Sequence, residues 1–260
     1  MAEIAGAQRR LHQVGYAMTQ IPMPPFEFQT LISGPGNEPK FEEIGSWLRD
    51  ALDEQGMLAP GTSLLDVGCG CGRLARQLLR CPIGSYVGFD RHKGMVDWCA
   101  AEIGSRDPRF RFHYFDLKSV YTVWDNQAGA IDAETFRFPF PDAAFDAVLL
   151  ASVFTHMPPA ETRNYLGELA RVMRPGATAL LSIFLSPSGA VEVRDDGINV
   201  FHDLRQFLAD IGALPLRARL TGLQFVPGMR AAASMQPDPA PAQSFDYVHN
   251  WYVLSRSVAL

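Results

Sequence analysis

An acidic residue followed by three alternating glycines is the first pattern in this sequence that could do chemistry. Asp66 opens an Asp-x-Gly-x-Gly-x-Gly spacing that continues through Gly68, Gly70 and Gly72. Glycine has no Cβ, so it tolerates positive φ and lets a ligand lie against the backbone. An apolar run precedes the glycines and helical spacing follows them, which predicts a strand, a tight loop and a helix. Because a helix N-terminus presents free N–H groups, we expect this loop to hold a nucleotide-like ligand.

The spacing of the glycines excludes two common phosphate-binding loops. A dinucleotide fingerprint needs a third glycine where Arg73 stands, and a P-loop needs a Gly-Lys-Ser/Thr sequence that this loop lacks. The carboxylate of Asp66 suits a cationic amino acid better than a pyrophosphate. A glycine-rich turn that binds no ligand is the alternative interpretation.

A second carboxylate follows the next predicted strand. Residues 85–89 are apolar and end at Asp90, about 20 residues past the glycine loop, which is the interval for an acid that accepts hydrogen bonds from ribose hydroxyls. A third predicted strand, 110–116, ends at Asp116. A surface acid is the alternative interpretation of Asp90.

The elements that must position these residues alternate between strands and helices. We predict an amphipathic helix over 40–52 and a later one over Phe201 to Ile211. Residues 1–40 are predicted to form an irregular extension with a short helical start. Residues 118–141 form a long connection, and residues 191–196 form a polar segment suited to a lid. The predicted strands are 63–67, 85–90, 110–116, 145–151, 178–185, 216–225 and 245–254.

The amino-acid composition indicates a globular protein and argues against several other classes, including nucleic-acid-binding and membrane-spanning proteins. The chain has 260 residues, of which 47% are hydrophobic and 20% charged, with a net charge of -5. These values are ordinary for a globular protein, and the acidity without any Lys/Arg run argues against a nucleic-acid partner. No apolar run reaches the ~20 residues of a membrane span, and no signal-peptide core is evident. The cysteines Cys69, Cys71, Cys81 and Cys99 form no C-x-x-C motif, so we expect reduced thiols, a cytoplasmic location and no metal.

Four ordered segments resemble the class I S-adenosylmethionine-dependent methyltransferases, and most closely the bacterial small-molecule type. They are Asp66–Arg73, Phe136–Asp142, Ser152–Met157 and Arg174–Gly176. The resemblance covers about residues 40–186. It implies an α/β fold with a doubly wound, seven-stranded, mostly parallel sheet of the Rossmann-like methyltransferase type. We expect an extension over 1–40 that either forms a lid or packs on the body of the domain. The domain itself covers 41–260, with a cofactor half (41–157) and a substrate-side half (158–260).

The resemblance also implies roles for individual residues. Asp116 matches the residue that accepts from the adenine amino group, and Met95 matches one that flanks the adenine. Arg91 stands where relatives carry an apolar residue. The cofactor set is Asp66, Gly68, Cys69, Gly70, Gly72, Asp90, Arg91, Met95, Asp116, Leu117, Ala151 and Ser152. The substrate set is Phe26, Phe28, Tyr121, Trp124, Phe154 and Met157. His156 is the candidate general base, and the alternative is that it caps its turn or contacts the methionine moiety.

The resulting hypothesis is transfer of a methyl group from S-adenosylmethionine to an oxygen or nitrogen of a small molecule, with S-adenosylhomocysteine as product and secondary metabolism as a context. Carbon methylation stays open, as does a homodimer. Two alternatives compete with it: a catalytically silent scaffold that binds S-adenosylmethionine, and a nicotinamide-dependent oxidoreductase, which the failed third glycine disfavours.

Overall fold

The computed structural model describes residues 21–34, 36–119, 129–186, 188–193, 199–223 and 249–258. The chain divides into two compact units. The first comprises Met1–Asp116 and Phe145–Val148, and the second comprises Leu117–Ala144 and Leu149–Leu260.

Three parallel strands with intervening helices form the described part of the first unit. Strand β1 pairs with β2 so that Val67 lies opposite Phe89, and β2 pairs with β3 so that Asp90 lies opposite Tyr114. The carboxyl ends of the three strands therefore meet at one edge. The elements are α1 (Phe26–Ser33), a 3₁₀ turn (Glu38–Lys40), α2 (Phe41–Glu54), β1 (Ser63–Val67), α3 (Arg73–Leu78), β2 (Ser85–Asp90), α4 (Lys93–Cys99), a π turn (Ala100–Gly104) and β3 (Phe110–Tyr114).

Helix α2 shows why these segments fold as they do. Its apolar residues recur at helical spacing, and Phe41, Ile44, Leu48 and Ala51 are all buried. Gly45 on the same helix lies against α3, where a Cβ would stand 2.6 Å from the carbonyl oxygen of Arg73. The missing side chain lets the two helices approach closely.

The second unit contains the remaining strands and helices. Strand β5 pairs with β7 in parallel and with β9 antiparallel, and β8 and β6 pair antiparallel with β9 and β7. The elements are β4 (Phe145–Leu150, which both units share), a 3₁₀ turn (Phe154–His156), α5 (Pro159–Val172), β5 (Met173–Leu185), β6 (Glu192–Val193), β7 (Val200–His202), α6 (Leu204–Gly212), β8 (Leu216–Leu220) and β9 (Asn250–Arg256).

Sheet topology confirms the predicted fold class. The strands run in the order β3-β2-β1-β4-β5-β7-β6, with β9 beside β5 and β8 beside β9. The sheet of the described residues has nine strands rather than the seven predicted. The two extra strands are β6 and β7, which are two and three residues long, too short for a periodic pattern to reveal them.

Several predicted boundaries were wrong. The helix predicted from Phe201 begins at Leu204, because Phe201 belongs to β7 and the Asp203 side chain caps the helix by accepting from the N–H of Gln206. Strand β5 begins at Met173, directly after α5, rather than at residue 178. The irregular extension contains the regular helix α1. Strands β3 and β8 end before residues 116 and 225, and β9 begins after residue 245. Residues 194–196 of the polar segment lie outside the described part of the chain.

One guanidinium organises the connection that leads into β4. Arg171 on α5 donates to the carbonyl oxygens of Phe138 and Phe140 at 2.8 and 2.7 Å and pairs with Glu168 at 2.5 Å. Bonds from a charged donor to several acceptors are geometrically specific. They hold the Phe-Arg-Phe-Pro-Phe segment in place. In the stretches of chain that the structure describes, no helix has the length and apolar character needed to cross a membrane.

Candidate cofactor site

The glycine loop at the end of β1 adopts left-handed backbone at each alternate position. Gly68, Gly70 and Gly72 have φ of 74°, 53° and 75°. The backbone N–H groups of Gly68 and Cys69 both donate to the carbonyl oxygen of Phe89 on β2, at 2.9 and 3.0 Å. Because L-residues rarely adopt such φ values, the loop requires glycine at these positions. It turns the chain sharply from β1 into α3.

Asp90 is bonded directly to this loop. Its Oδ2 accepts from the N–H of Gly70 at 2.8 Å and its Oδ1 accepts from the N–H of His92 at 2.8 Å. Burial raises the pKa of this carboxyl, and the two N–H donors partly offset that effect. Each carboxylate oxygen can accept more than one hydrogen bond, so Asp90 keeps capacity for a ligand's hydroxyl groups.

Asp66 lies at the start of the loop with almost no exposed surface. It is 3% exposed, and its Oδ2 accepts from the hydroxyl of Tyr86 at 2.6 Å. Burial raises the pKa of Asp66 to about 7, and the bond from Tyr86 acts in the opposite direction. The same burial raises the pKa of Tyr86 well above its ordinary value, so the phenol keeps its proton. Sequence reasoning missed this partner, because the pattern around Tyr86 indicates only a strand.

Helix α1 packs on the glycine loop. A Cβ on Gly70 would stand 3.1 Å from Cγ2 of Ile32, and Phe28 packs edge-on against the ring of His92 at 5.3 Å. Met95, which is 3% exposed, forms an apolar cluster with Phe41 and Cys71 that the α1 side chains border. Phe26, by contrast, is 68% exposed.

His92 has a role that sequence reasoning missed. It is half-buried and is the N-cap of α4, where its Nδ1 accepts from the N–H of Met95 at 3.2 Å. Histidine is not among the residues preferred at this position, so the sequence held no capping signal. The cap fixes the position of Met95.

Four further cofactor candidates come from the segments that follow β1, β2 and β3. Asp116 accepts from the hydroxyl of Tyr114 at 3.0 Å, just past β3. Leu117 is 6% exposed and forms an isolated parallel bridge with Ile131 in the second unit. Arg91 is half-buried. Cys69 is 6% exposed, and burial raises the pKa of its thiol well above the ordinary value.

A polar network surrounds Ser152 in the second unit. Ser152 has φ of 59°, and its N–H donates to Oγ of the fully buried Ser182 at 2.8 Å. Nδ1 of His249 lies 3.1 Å from the same Ser182 oxygen, and its Nε2 lies 3.5 Å from Oγ of Ser152. The network holds strained backbone directly after β4, beside Ala151, a pattern that favours a functional segment. His249 had no predicted place, and no sequence motif links it to Ser182.

A buried histidine, His202, contacts the backbone of the turn that carries His156. Nε2 of His202 lies 2.9 Å from the carbonyl oxygen of Phe154, and burial lowers the pKa of His202. Phe154 is fully buried and packs against Phe207 at 6.5 Å, so its side chain is part of the core here. Met157 is 7% exposed and His156 is half-buried. Tyr121 and Trp124 lie outside the described residues.

The structure thus joins Gly70 to Asp90 in the first unit and places Ala151, Ser152, Phe154, His156 and Met157 together in the second. The glycine loop and Asp90 have the chemistry that a nucleoside needs, because glycine backbone lets a ligand come close and a carboxylate accepts from hydroxyl groups. In the part of the chain that the structure describes, no group of three or more His, Cys, Asp or Glu side chains could hold a metal ion.

Comparison with known proteins agrees with this geometry. Residues 65–181 match a family described as a methyltransferase domain. The chain is 32% identical over 142 residues to a demethylmenaquinone methyltransferase of Thermus thermophilus, covering 54% of this chain and 55% of that protein. It is 30% identical over 168 residues to the 27-O-demethylrifamycin SV methyltransferase of Amycolatopsis mediterranei, covering 61% and 54%. The matches therefore span about half the length of these curated relatives.

A solved structure supports the fold. An O-methyltransferase family protein from Burkholderia thailandensis matches with a TM-score of 0.54 at 16% identity, covering 85% of this chain and 58% of that one. The glycine loop, β2 and β4 all lie inside the matched segment. Residues 65–181 are therefore similar to methyltransferase domains, in line with the resemblance that the sequence motifs carry.

Proposed function

We propose that the protein transfers a methyl group from S-adenosylmethionine to an oxygen or nitrogen of a small molecule, in secondary metabolism. The observation that carries this proposal is the 2.8 Å bond between Asp90 and the N–H of Gly70, inside a segment that matches a methyltransferase domain. The bond supports the proposal because it would hold a carboxylate for the ribose hydroxyls beside the glycine loop.

The residues at this edge fit the cofactor. Asp90 would accept from the ribose hydroxyls, Met95 would flank the adenine, and Asp116 would accept from its amino group. Arg91 and Leu117 would border the base, and Gly68, Cys69 and Gly72 would line the amino-acid side with Asp66. Ala151 and Ser152 would complete the set. S-adenosylmethionine supplies a methyl group already activated by its sulfonium, so the protein's main tasks are alignment and exclusion of water.

We assign the proton transfer to His156. An acceptor hydroxyl becomes a better nucleophile when a group with pKa near neutrality takes its proton, and histidine is suited to that task. His156 ends the turn after β4, and the bond from His202 to the Phe154 carbonyl oxygen supports that turn. Its proton would return to solvent after methyl transfer.

We also propose that α1 acts as a lid, with Phe28 and Phe26 bordering the substrate. The support is the packing of Ile32 against Gly70 and of Phe28 against His92. The 68% exposed ring of Phe26 is available for a further contact.

The relatives and the composition support the proposed acceptor class and cellular setting. Two relatives are named for rifamycin and menaquinone precursors, which are small molecules. The net charge of -5 disfavours nucleic acid as a substrate. We propose a cytoplasmic protein, with free thiols at Cys69, Cys71, Cys81 and Cys99. The question of a homodimer is open to test by analytical sedimentation of the purified protein.

Calorimetric titration with S-adenosylhomocysteine tests the proposal. We expect micromolar binding by the wild type, binding lost in Asp90→Ala, and binding unchanged in Asp97→Ala, whose carboxylate makes an exposed ion pair with Lys93 on α4. Equal affinity in all three proteins would overturn the role of Asp90, and no binding by any of them would overturn the cofactor. Labelled S-adenosylmethionine with a panel of small hydroxyl and amino acceptors would then identify the reaction.

A further inference from the structure

The hydroxyl of Ser182 on β5 is fully buried, and its proton needs an acceptor inside the protein. Its oxygen accepts from the N–H of Ser152 at 2.8 Å, and Nδ1 of His249 lies 3.1 Å from the same oxygen. Burying a donor without an acceptor is costly. Among the residues that the structure describes, Nδ1 of His249 is the one acceptor within reach of this hydroxyl, so the Ser182 O–H donates to it.

This hydrogen bond fixes which nitrogen of His249 carries the proton. A neutral imidazole has one N–H and one unprotonated nitrogen, so an Nδ1 that accepts leaves the proton on Nε2. Nε2 lies 3.5 Å from Oγ of Ser152, a long contact of the kind that often tightens when a ligand binds. The rings of Phe184, edge-on at 4.9 Å, and Trp251, stacked at 6.1 Å, hold the imidazole in this orientation. His249 therefore donates to the Ser152 oxygen.

The hydroxyl proton of Ser152 is then available to a ligand. Its oxygen accepts from His249, and the described part of the chain supplies no acceptor for its O–H. Ser152 is half-buried and lies two residues past the end of β4, at the carboxyl edge where α/β sheets bind ligands. Its backbone, with φ of 59°, is fixed by the bond to Ser182. The three residues thus form a chain of hydrogen bonds that runs from Ser182 through His249 and ends in a donor at Ser152.

We propose that the Ser152 hydroxyl donates a hydrogen bond to an anionic or carbonyl oxygen of the methyl acceptor, with Ser182 and His249 as positioning residues. This inference rests on the proposed function, because it takes the ligand at this edge to be a methyl acceptor. Hydrogen bonds in a chain polarise one another, so the two positioning residues strengthen the donor at Ser152.

The direction of the chain selects the chemical class of the acceptor. A ligand hydroxyl that donated to Ser152 would reverse the chain and leave the buried proton of Ser182 without its acceptor, which is costly. An oxygen that has lost its proton fits instead, and His156 is the group to which we assign that proton. Phenols and enols form such an oxygen, and they are the class of acceptor that this site favours.

The competing explanation is that the three residues only hold the left-handed backbone at Ser152 and meet no ligand. Nuclear magnetic resonance of protein labelled with nitrogen-15 in histidine tests the direction of the chain first. Near neutral pH we expect His249 to carry its proton on Nε2 alone, with the signal assigned by its loss in His249→Asn. Ser182→Ala should lose this preference, and Ser105→Ala, the control at an exposed hydroxyl, should keep it.

The ligand is tested with 4-nitrophenol, whose absorbance distinguishes the phenol from the phenolate. Its methyl ether, 4-nitroanisole, cannot ionise and is the matched control compound. In the presence of S-adenosylhomocysteine, we expect the wild type to bind 4-nitrophenol as the phenolate, at least about tenfold more tightly than the ether, as for a hydrogen bond to a charged group. In Ser152→Ala the preference should fall to within about threefold, and Ser105→Ala should keep it.

Four outcomes would contradict the proposal. A wild type with the proton of His249 on Nδ1, or on both nitrogens, would reverse the chain and overturn the proposal without any variant. Equal binding of the two compounds, or binding of neither, by a wild type that binds S-adenosylhomocysteine would overturn this inference and leave the proposed function standing. A preference that survives in Ser152→Ala would assign the phenolate to another group. Failure of the wild type to bind S-adenosylhomocysteine would overturn the proposed function, and this inference with it.

Discussion

The carboxylate of Asp90 accepts a 2.8 Å hydrogen bond from the backbone N–H of Gly70, which joins the end of β2 to the loop that follows β1. The other oxygen of Asp90 accepts from His92 at the start of α4. A side chain held by two backbone donors is pre-organised, since its orientation does not have to be fixed when a ligand arrives. The glycine loop and the Asp90 carboxylate are therefore held together by these hydrogen bonds.

Replacement of Gly70 by alanine should have two effects: it should lower the stability of the protein and weaken ligand binding. Gly70 has φ of 53°, and a Cβ there would stand 3.1 Å from Cγ2 of Ile32. We expect Gly70→Ala to lower the free energy of unfolding by about 1 kcal/mol, because left-handed backbone is unfavourable for alanine. It should weaken S-adenosylhomocysteine binding at least about tenfold, since a change of backbone at Gly70 would disturb the N–H that holds the Asp90 carboxylate. Urea unfolding and calorimetry measure the two effects.

Gly167 supplies the matched control for this substitution. It lies inside α5, and a Cβ there would have no heavy atom within 4 Å. Alanine is a better helix former than glycine, so Gly167→Ala should raise the free energy of unfolding by about 0.5–1 kcal/mol. Ligand affinity should stay unchanged. A Gly70→Ala protein that gained stability as Gly167→Ala does would refute the strain argument.

Ser182→Ala should destabilise the backbone after β4. The Ser182 hydroxyl accepts from the N–H of Ser152 and lies within hydrogen-bonding distance of His249. Removing a buried acceptor leaves the Ser152 N–H without its bond, which costs about 1–3 kcal/mol. The control is Ser105→Ala, where an exposed hydroxyl bonds to Ala101 on its own helical turn and the expected change is within about 0.5 kcal/mol. Equal effects of the two substitutions in thermal unfolding would show that the Ser182 hydroxyl does not stabilise the backbone at Ser152.

The part of the fold that could be predicted depends on local patterns. Glycine spacing predicted the turn from β1 into α3, and an apolar run ending in an acid predicted β2 with Asp90 at its end. Both signals lie within a few residues of the feature that they predict. Asp90 lies beside the loop because parallel strands align their carboxyl ends.

The remaining contacts could not be predicted because they join residues far apart in sequence. Tyr86 reaches Asp66 over 20 positions, and His249 reaches Ser182 over 67. Neither pair has a motif, and the periodicity of a strand indicates which face a side chain takes but not its partner across the sheet. The short strand β7 was hidden because Phe201 also fits the apolar face of the helix that follows.

His202 should make stability depend on pH. Burial lowers its pKa below the ordinary 6.5, although its bonds to backbone around Phe154 and Met157 and the nearby Asp210 act in the opposite direction. The unfolded chain then binds more protons than the folded one below about pH 6.5, so the contribution of His202 to stability is lost as pH falls. His202→Asn should cost about 2 kcal/mol at pH 7.5 and less at pH 5.5. Thermal unfolding at both values measures the difference; a cost that grows on acidification would contradict the argument.

Glu161 should show the opposite dependence, because its carboxyl is an acid with a raised pKa. Burial is the main cause, followed by repulsion from Glu134 and Asp132, and together they raise the pKa of Glu161 to about 7. Between the ordinary value of 4.5 and 7 the folded chain binds the extra proton, so this group lowers stability as pH rises through that interval.

Glu161→Gln should therefore raise the free energy of unfolding at pH 8 by about 1 kcal/mol, a value discounted for the solvent exposure of this half-buried group, and should change little at pH 4.5. The gain opposes a smaller loss, since a negative charge in the first turn of α5 is favourable to the helix. Glu134→Gln, at an exposed position, should give a smaller gain at pH 8 because it removes the repulsion but leaves the buried carboxylate. Destabilisation of Glu161→Gln at pH 8 would show that the helix N-terminus outweighs burial at this site.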